Sequence, residues 1–268
     1  MPFVRVGDLR MYYELGGNGP RVLFINGTGG DLRARPGPFD GPLAGRFELL
    51  AHDQRGLGQT DRPDVPYAMA DYAADAAGLL SAVGWSRCHV VGVSFGGMVA
   101  QELALRWPDH VDRLVLACTS SGGAGGASYP LHELEHLPEE ERLRRTLALG
   151  DTRRDAAWQR DHPEALAGIL QFMRARTAAG VGEPGREAGA RRQLEARRTH
   201  DTWDRLHTLC QPTFVCGGKY DAIASPANQE ALARRIPNAT LELFDGGHLF
   251  LLQDSRAFDR IIDFLTAA

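Results

Sequence analysis

The chain has 268 residues, 43% of them hydrophobic and 24% charged, with a net charge of -4. That is length enough for one large core, or a core plus a modest insertion. The composition is that of a soluble globular protein, and its charge gives neither nucleic acid nor an anionic membrane an electrostatic foothold. Cys88, Cys118, Cys210 and Cys216 are far apart with no C-x-x-C pair, so buried thiols are expected rather than a metal site. The start, Met1-Pro-Phe-Val-Arg-Val, lacks the build of a signal peptide, and no apolar run reaches membrane-spanning length. The expected location is the cytoplasm.

Residues 3–6 and 9–15 read as a short antiparallel pair turning at Gly7-Asp8. The run Val22-Leu-Phe-Ile25, within 21–26, suits a strand buried on both faces, as do 47–52 and 88–93. Between the last two, Met69, Tyr72, Ala73, Ala76, Leu79, Leu80 and Val83 fall at helical spacing and predict a helix over 69–83. A helix over 95–107, stopped by Pro108, and a strand over 111–118 follow. Strands alternating with helices imply a mostly parallel sheet covered on both faces.

At Thr119 the pattern changes. Ser120-Ser-Gly-Gly-Ala-Gly-Gly-Ala127 is expected to be a flexible glycine run, and from about residue 131 to 209 no strand-like run occurs. Helical segments rich in Glu, Arg, Leu and Ala are broken at Pro138, Pro163 and Pro184. Between 119 and 209 stand 14 arginines and 14 acids, so the region is polar but neutral. Leu143, Leu147, Trp158, Leu166, Ile169, Leu170, Phe172 and Met173 recur regularly enough to favour a packed helical insertion over a disordered one. After Pro212 the α/β pattern resumes, with strands over 213–216 and 239–244 and helices over 226–235 and 255–265.

The most informative stretch is Val90-Val-Gly-Val-Ser-Phe-Gly-Gly97. A G-x-S-x-G turn between a buried strand and a helix is sharp and strained, and it exposes the serine hydroxyl at its tip. Ser94 is the candidate nucleophile, and a serine hydroxyl needs an adjacent base. His248 follows the last strand across Asp245-Gly-Gly247, at the sheet edge where ligands of open parallel sheets bind. Asp221 holds the equivalent place after the preceding strand, where it can accept the Nδ1 proton of the histidine. Taken singly, Ser94 reads as a turn residue, Asp221 as a cap for the helix near Pro226, and His248 as a surface loop residue. Together, at corresponding strand ends and in the order Ser94, Asp221, His248, they read as a catalytic triad. An oxyanion hole must complete it. Its expected donors are the backbone amides of Phe95, next to the nucleophile, and Thr28, in Asn26-Gly-Thr-Gly-Gly30.

On the Gly92–Gly96 elbow, the loop Asp53-Gln-Arg-Gly-Leu-Gly-Gln-Thr60 and the terminal Gly246-Gly-His248, the chain resembles α/β-hydrolase fold enzymes over nearly its whole length. The loop is similar to the D-x-R-G-x-G-x-[ST] loop that shapes the site wall in that superfamily, and it carries no catalytic assignment. The resemblance implies an α/β-hydrolase core over 1–118 and 210–268, with 119–209 as a helical cap. One departure is Asn26-Gly27 where many relatives carry His-Gly; the donor is a backbone amide, so the hole is expected to survive. Size and the Gly-Gly-His ending are similar to 3-oxoadipate enol-lactonases and small carboxylesterases.

The expected function is hydrolysis of a small carboxylic ester or lactone through an acyl-enzyme. No metal or organic cofactor is required, and the protein is expected as a monomer or homodimer. The alternatives are a C–C bond hydrolase, a cofactor-free haloperoxidase or perhydrolase, or a non-catalytic ligand-binding protein on the same fold. Epoxide hydrolases and dehalogenases are disfavoured, since those relatives carry aspartate where this chain has Ser94. The arginines of Arg197-Arg-Thr-His-Asp-Thr-Trp-Asp-Arg205 could hold an acidic substrate and Trp203 an apolar wall. The plainer expectation there is a solvated helix with i,i+4 ion pairs and Trp203 on the core. His52, His89 and His110 read as packing or surface residues, and Gly27–Gly30 lacks the continuation of a phosphate cradle.

Overall fold

The computed structural model describes residues 2–267. Strands β1 (Phe3–Val6) and β2 (Leu9–Gly16) form an antiparallel hairpin. There follow β3 (Arg21–Ile25), β4 (Glu48–His52), α1 (Met69–Ala82), β5 (Cys88–Val93), α2 (Phe95–Arg106) and β6 (Val111–Ala117). Residues 119–209 contain no strand and carry α3 (Glu139–Gly150), α4 (Ala156–Asp161), α5 (Pro163–Thr177) and α6 (Arg186–Arg198). The chain closes with β7 (Thr213–Gly218), α7 (Pro226–Arg235), β8 (Ala239–Phe244), α8 (Phe250–Gln253) and α9 (Arg256–Thr266).

All eight strands join one sheet in the order β1-β2-β4-β3-β5-β6-β7-β8. The pairings from β4 to β8 are parallel, and β2 joins β4 antiparallel. The central strands are buried on both faces: Val22 to Ile25, Leu49 to Ala51 and Leu114 to Ala117 are nearly or wholly sealed from solvent. That is why their sequences run apolar instead of alternating. One face packs against α1, α2 and α7 through residues such as Tyr72, Leu79, Val99, Leu103 and Leu232. The other packs against α8 and α9, where Ala257, Ile261 and Leu265 recur every fourth residue along the buried stripe. Burying each of the last two side chains contributes about 1.5–3 kcal/mol.

The prolines of the helical insertion start helices rather than merely break them. Pro138 is the N-cap of α3, and Pro163 occupies the first turn of α5, where its missing N–H is no loss. Leu147, Leu166 and Leu170, with Leu143, Trp158, Ile169 and Met173 against them, form a small core of their own. Phe172 lies outside it, under the Arg176 guanidinium. The glycine run after Thr119 is packed, contrary to the expected flexible stretch. Ser120, Ser121 and Gly125 are buried, and a Cβ on Gly125 would stand 2.1 Å from Ser121 Oγ and 2.3 Å from the Trp203 ring. Missing side chains here permit close approach, not mobility. The single-turn α8 was not anticipated, since four residues are too few to show a period. Cys88, Cys118 and Cys216 are buried thiols and Cys210 is exposed. Among the described residues no helix is long and apolar enough to cross a membrane.

Candidate active site

Strand β5 delivers Ser94 to the carboxyl edge of the sheet with φ 56° and ψ -116°. A non-glycine residue in that region is strained and must be held by its surroundings. Ser94 N–H donates to Ala117 O at 2.8 Å, and Ser94 O accepts from Gly97 N at 2.9 Å and from Thr119 Oγ1 at 2.8 Å. The flanking glycines are required by space. A Cβ on Gly92 would lie 2.4 Å from Gly96 O, and one on Gly96 would lie 2.0 Å from Ile25 O. The strand, the turn and the helix are therefore in backbone contact, and Ser94 is pressed into its conformation.

The last two strands supply the partners. His248 Nε2 stands 2.9 Å from Ser94 Oγ, and His248 Nδ1 stands 2.7 Å from Asp221 Oδ2. The second carboxylate oxygen of Asp221 accepts from the amides of Ile223 at 2.7 Å and Ala224 at 3.0 Å. Asp221 is thus not the cap of α7, whose N-cap is Ser225. Its side chain is wholly buried, whereas the His248 ring keeps 15% of its surface exposed. The acid is fixed and dry while the ring faces the site. The sequence-expected order Ser94, Asp221, His248 is one continuous hydrogen-bonded row in space.

The loop after β3 approaches from the other side. A Cβ on Gly27 would lie 3.3 Å from Ser94 Cβ, so this backbone passes directly beside the Ser94 side chain. Thr28 is exposed and Phe95 is buried, and neither backbone amide donates to a hydrogen bond among the described residues. Amides left unspent are what an oxyanion requires of its donors. The loop is braced at three points. Gln54 Nε2 donates to Asn26 O at 2.9 Å, Leu32 N donates to Asp53 Oδ1 at 2.7 Å, and Gly29 N donates to Gln193 Oε1 at 2.8 Å. Asp53 also accepts from Gln59 N at 2.8 Å, and burial pushes its carboxyl up to about 6 against those two amide bonds. The Asp53–Thr60 loop is therefore a brace behind the site.

Residues that sequence reasoning missed lie in the helical insertion. Gly150 O accepts from His248 N at 2.5 Å, and Leu149 O accepts from Ala222 N at 2.9 Å, so the end of α3 ties down both partner loops. Gln193, sealed from solvent on α6, had no signal beyond its place in a polar helix. The expected solvated helix over 197–205 is also corrected. α6 ends at Arg198, Arg197 is buried, and the Arg205 side chain forms its ion pair with Glu102 of α2 at 2.5 Å, meeting its own segment only through a bond to Asp201 O at 2.9 Å. Trp203 packs on the main core as expected. His52 and His89 are buried and His110 is half-buried, and among the described residues none of the three is hydrogen-bonded to the Ser94 row.

A family model described as the alpha/beta hydrolase fold matches residues 20–255. The chain is 31% identical to a poly(3-hydroxyalkanoate) depolymerase of Ectopseudomonas oleovorans, over 90% of this chain and 82% of that protein. It is 32% identical to a 2-hydroxymuconate semialdehyde hydrolase of Pseudomonas putida, over 92% and 87% of the two chains. Among solved structures, the enol-lactonase from Burkholderia xenovorans LB400 superposes with a TM-score of 0.79 at 24% identity, covering 99% of this chain and 100% of that one. A sheet of this order, a strained serine after its fifth strand and a family match over most of the chain agree: the protein belongs to the alpha/beta hydrolase fold family.

Proposed function

We propose that the protein is a serine hydrolase that cleaves a small carboxylic ester or lactone. The observation that carries this reading is the row Ser94 Oγ, His248, Asp221, with contacts of 2.9 and 2.7 Å, supported by the uncommitted backbone amides of Thr28 and Phe95. Ser94 Oγ attacks the carbonyl carbon while His248 Nε2 takes the hydroxyl proton. Asp221 keeps the ring proton on Nδ1 and stabilises the imidazolium. The amides of Thr28 and Phe95 receive the oxyanion. The tetrahedral adduct collapses, His248 returns its proton to the leaving alkoxide, and the acyl group stays on Ser94. A water molecule then gives its proton to His248 and its oxygen to the acyl carbon, releasing the acid and restoring the serine.

The test is covalent labelling with a fluorophosphonate, read by intact mass and peptide mapping, together with turnover of 4-nitrophenyl esters. Wild-type protein is expected to be labelled at Ser94. Ser94→Ala should lower kcat by several orders of magnitude with its unfolding transition unchanged. An unlabelled Ser94, or full turnover in the alanine variant, would favour a ligand-binding protein on the same fold.

A second reading keeps the same residues but cleaves a C–C bond, and the similarity to a 2-hydroxymuconate semialdehyde hydrolase favours it. Faster turnover of a vinylogous diketone than of any ester or lactone in one panel would select it.

A further inference from the structure

Helix α6 turns one face inward, carrying Gly189, Gln193, Ala196 and Arg197. Its contacts follow the sheet edge in order. At Gly189 it meets the loop after β4, where a Cβ would stand 1.9 Å from Gly56 O. At Gln193 it meets the loop after β3 through the Gly29 amide. Arg197 reaches the chain beyond β6, donating to Tyr129 O at 2.7 Å and to Ser128 Oγ at 2.8 Å. Those strands stand in the order β4-β3-β5-β6, so the segments that Gln193 and Arg197 hold flank the end of β5, where Ser94 sits. One helical turn advances about 5.4 Å. Two strand spacings are about 10 Å, a gap the arginine side chain spans.

A helix face buried in this way is ordinarily apolar. Here Gln193 has 0% and Arg197 6% of its surface exposed, and Gln193 Nε2 and Arg197 Nε have no hydrogen-bond partner among the described residues. Unmet buried N–H groups are rare and ask for a partner. Among the described residues no acid offsets the burial of Arg197: desolvation alone pulls its guanidinium down to about 10. An uncompensated buried charge destabilises the fold, and a guanidinium fork matches a planar carboxylate.

We propose that Arg197, with the Gln193 amide beside it, recognises a carboxylate on the substrate, so that the ester or lactone cleaved is an anionic one. This rests on the hydrolase reading above and names its substrate class.

Two esters of similar length test it: 4-nitrophenyl butyrate, and the mono-4-nitrophenyl ester of glutarate, which ends in a carboxylate. The quantity read is the ratio of their kcat/KM values in wild-type, Arg197→Met and Arg197→Lys proteins, each shown folded by a cooperative thermal transition. Wild type should prefer the anionic ester, Arg197→Met should reduce the ratio on the order of 100-fold, and Arg197→Lys should restore part of it. Calorimetric titration of glutarate into Ser94→Ala protein, with and without Arg197→Met, reads the same site without turnover. An equal ratio in wild type and Arg197→Met, or glutarate binding unaffected by the substitution, overturns the proposal while leaving the hydrolase intact. If neither ester is cleaved and Ser94 resists labelling, yet glutarate binds only when Arg197 is present, the hydrolase reading falls and the carboxylate site stands.

Discussion

Asp221→Asn separates a residue that sets the histidine tautomer from one that only braces a loop. Oδ1 of Asp221 accepts from the Ile223 and Ala224 amides, and Oδ2 accepts from His248 Nδ1. Asparagine has one acceptor oxygen to offer. Turned toward His248, that oxygen would leave the NH2 group facing two buried N–H donors, at about 1–3 kcal/mol for each unmet group. The oxygen therefore stays with the loop, and the NH2 group faces the ring. An amide NH2 only donates, so Nδ1 must accept and the ring proton moves to Nε2, the atom 2.9 Å from Ser94 Oγ. A ring protonated there cannot take the serine proton. The same exchange in a Ser-His-Asp protease lowers kcat about 10⁴-fold, equivalent to roughly 5.5 kcal/mol. The variant should lose about 10³- to 10⁴-fold in kcat on a 4-nitrophenyl ester, with a parallel loss in fluorophosphonate labelling rate. Its KM and thermal midpoint should hardly move. Turnover within tenfold of wild type, in a folded variant, would refute the anchored orientation and leave Asp221 as a loop brace.

Two further outcomes follow from packing and burial. Gly96→Ala places a methyl group 2.0 Å from Ile25 O and 2.6 Å from Asn26 O, both rigid backbone. It should lower stability by at least about 3 kcal/mol in urea unfolding, and a loss under 1 kcal/mol would contradict the backbone contact. Burial without a compensating charge drives His52 from its ordinary 6.5 down to about 4, so it is neutral in the fold. Its contribution is complete above pH 6.5 and is lost as pH falls toward 4, because the unfolded chain binds the proton first. His52→Gln should accordingly gain on wild type by about 3 kcal/mol between pH 7 and pH 4. A stability difference that ignores pH would show that His52 does not titrate in this way.

Most of the fold was legible because the strands and helices leave local signatures. The unbroken apolar runs of β3 to β6 reflect burial on both faces, and the period of α1 reflects burial on one. Element ends were less legible: β7 runs on through Gly217 and Gly218, where a Cβ on Gly218 would lie 2.1 Å from Gly247 O. That contact belongs to the partner loop and leaves no mark beyond the glycine itself. The helical insertion was readable as helices and as a small core, but not in its attachments, which join residues far apart in the chain.

For the site, the sequence by itself determined which residues could do chemistry and at which edge of the sheet they would stand. A G-x-S-x-G turn admits one backbone path, and the carboxyl ends of parallel strands share one edge of the sheet, so local rules alone bring Ser94, Asp221 and His248 to that edge. Tertiary structure decided what lies across from them. The Gln193 bond to Gly29 links residues 164 apart, and the buried Arg197 reaches Ser128 and Tyr129, also distant in the chain. In the sequence both are polar residues on a helix rich in arginine, which reads as a solvated face. They meet the segments that flank the end of β5 only in the packed chain, which alone fixes where the helix runs.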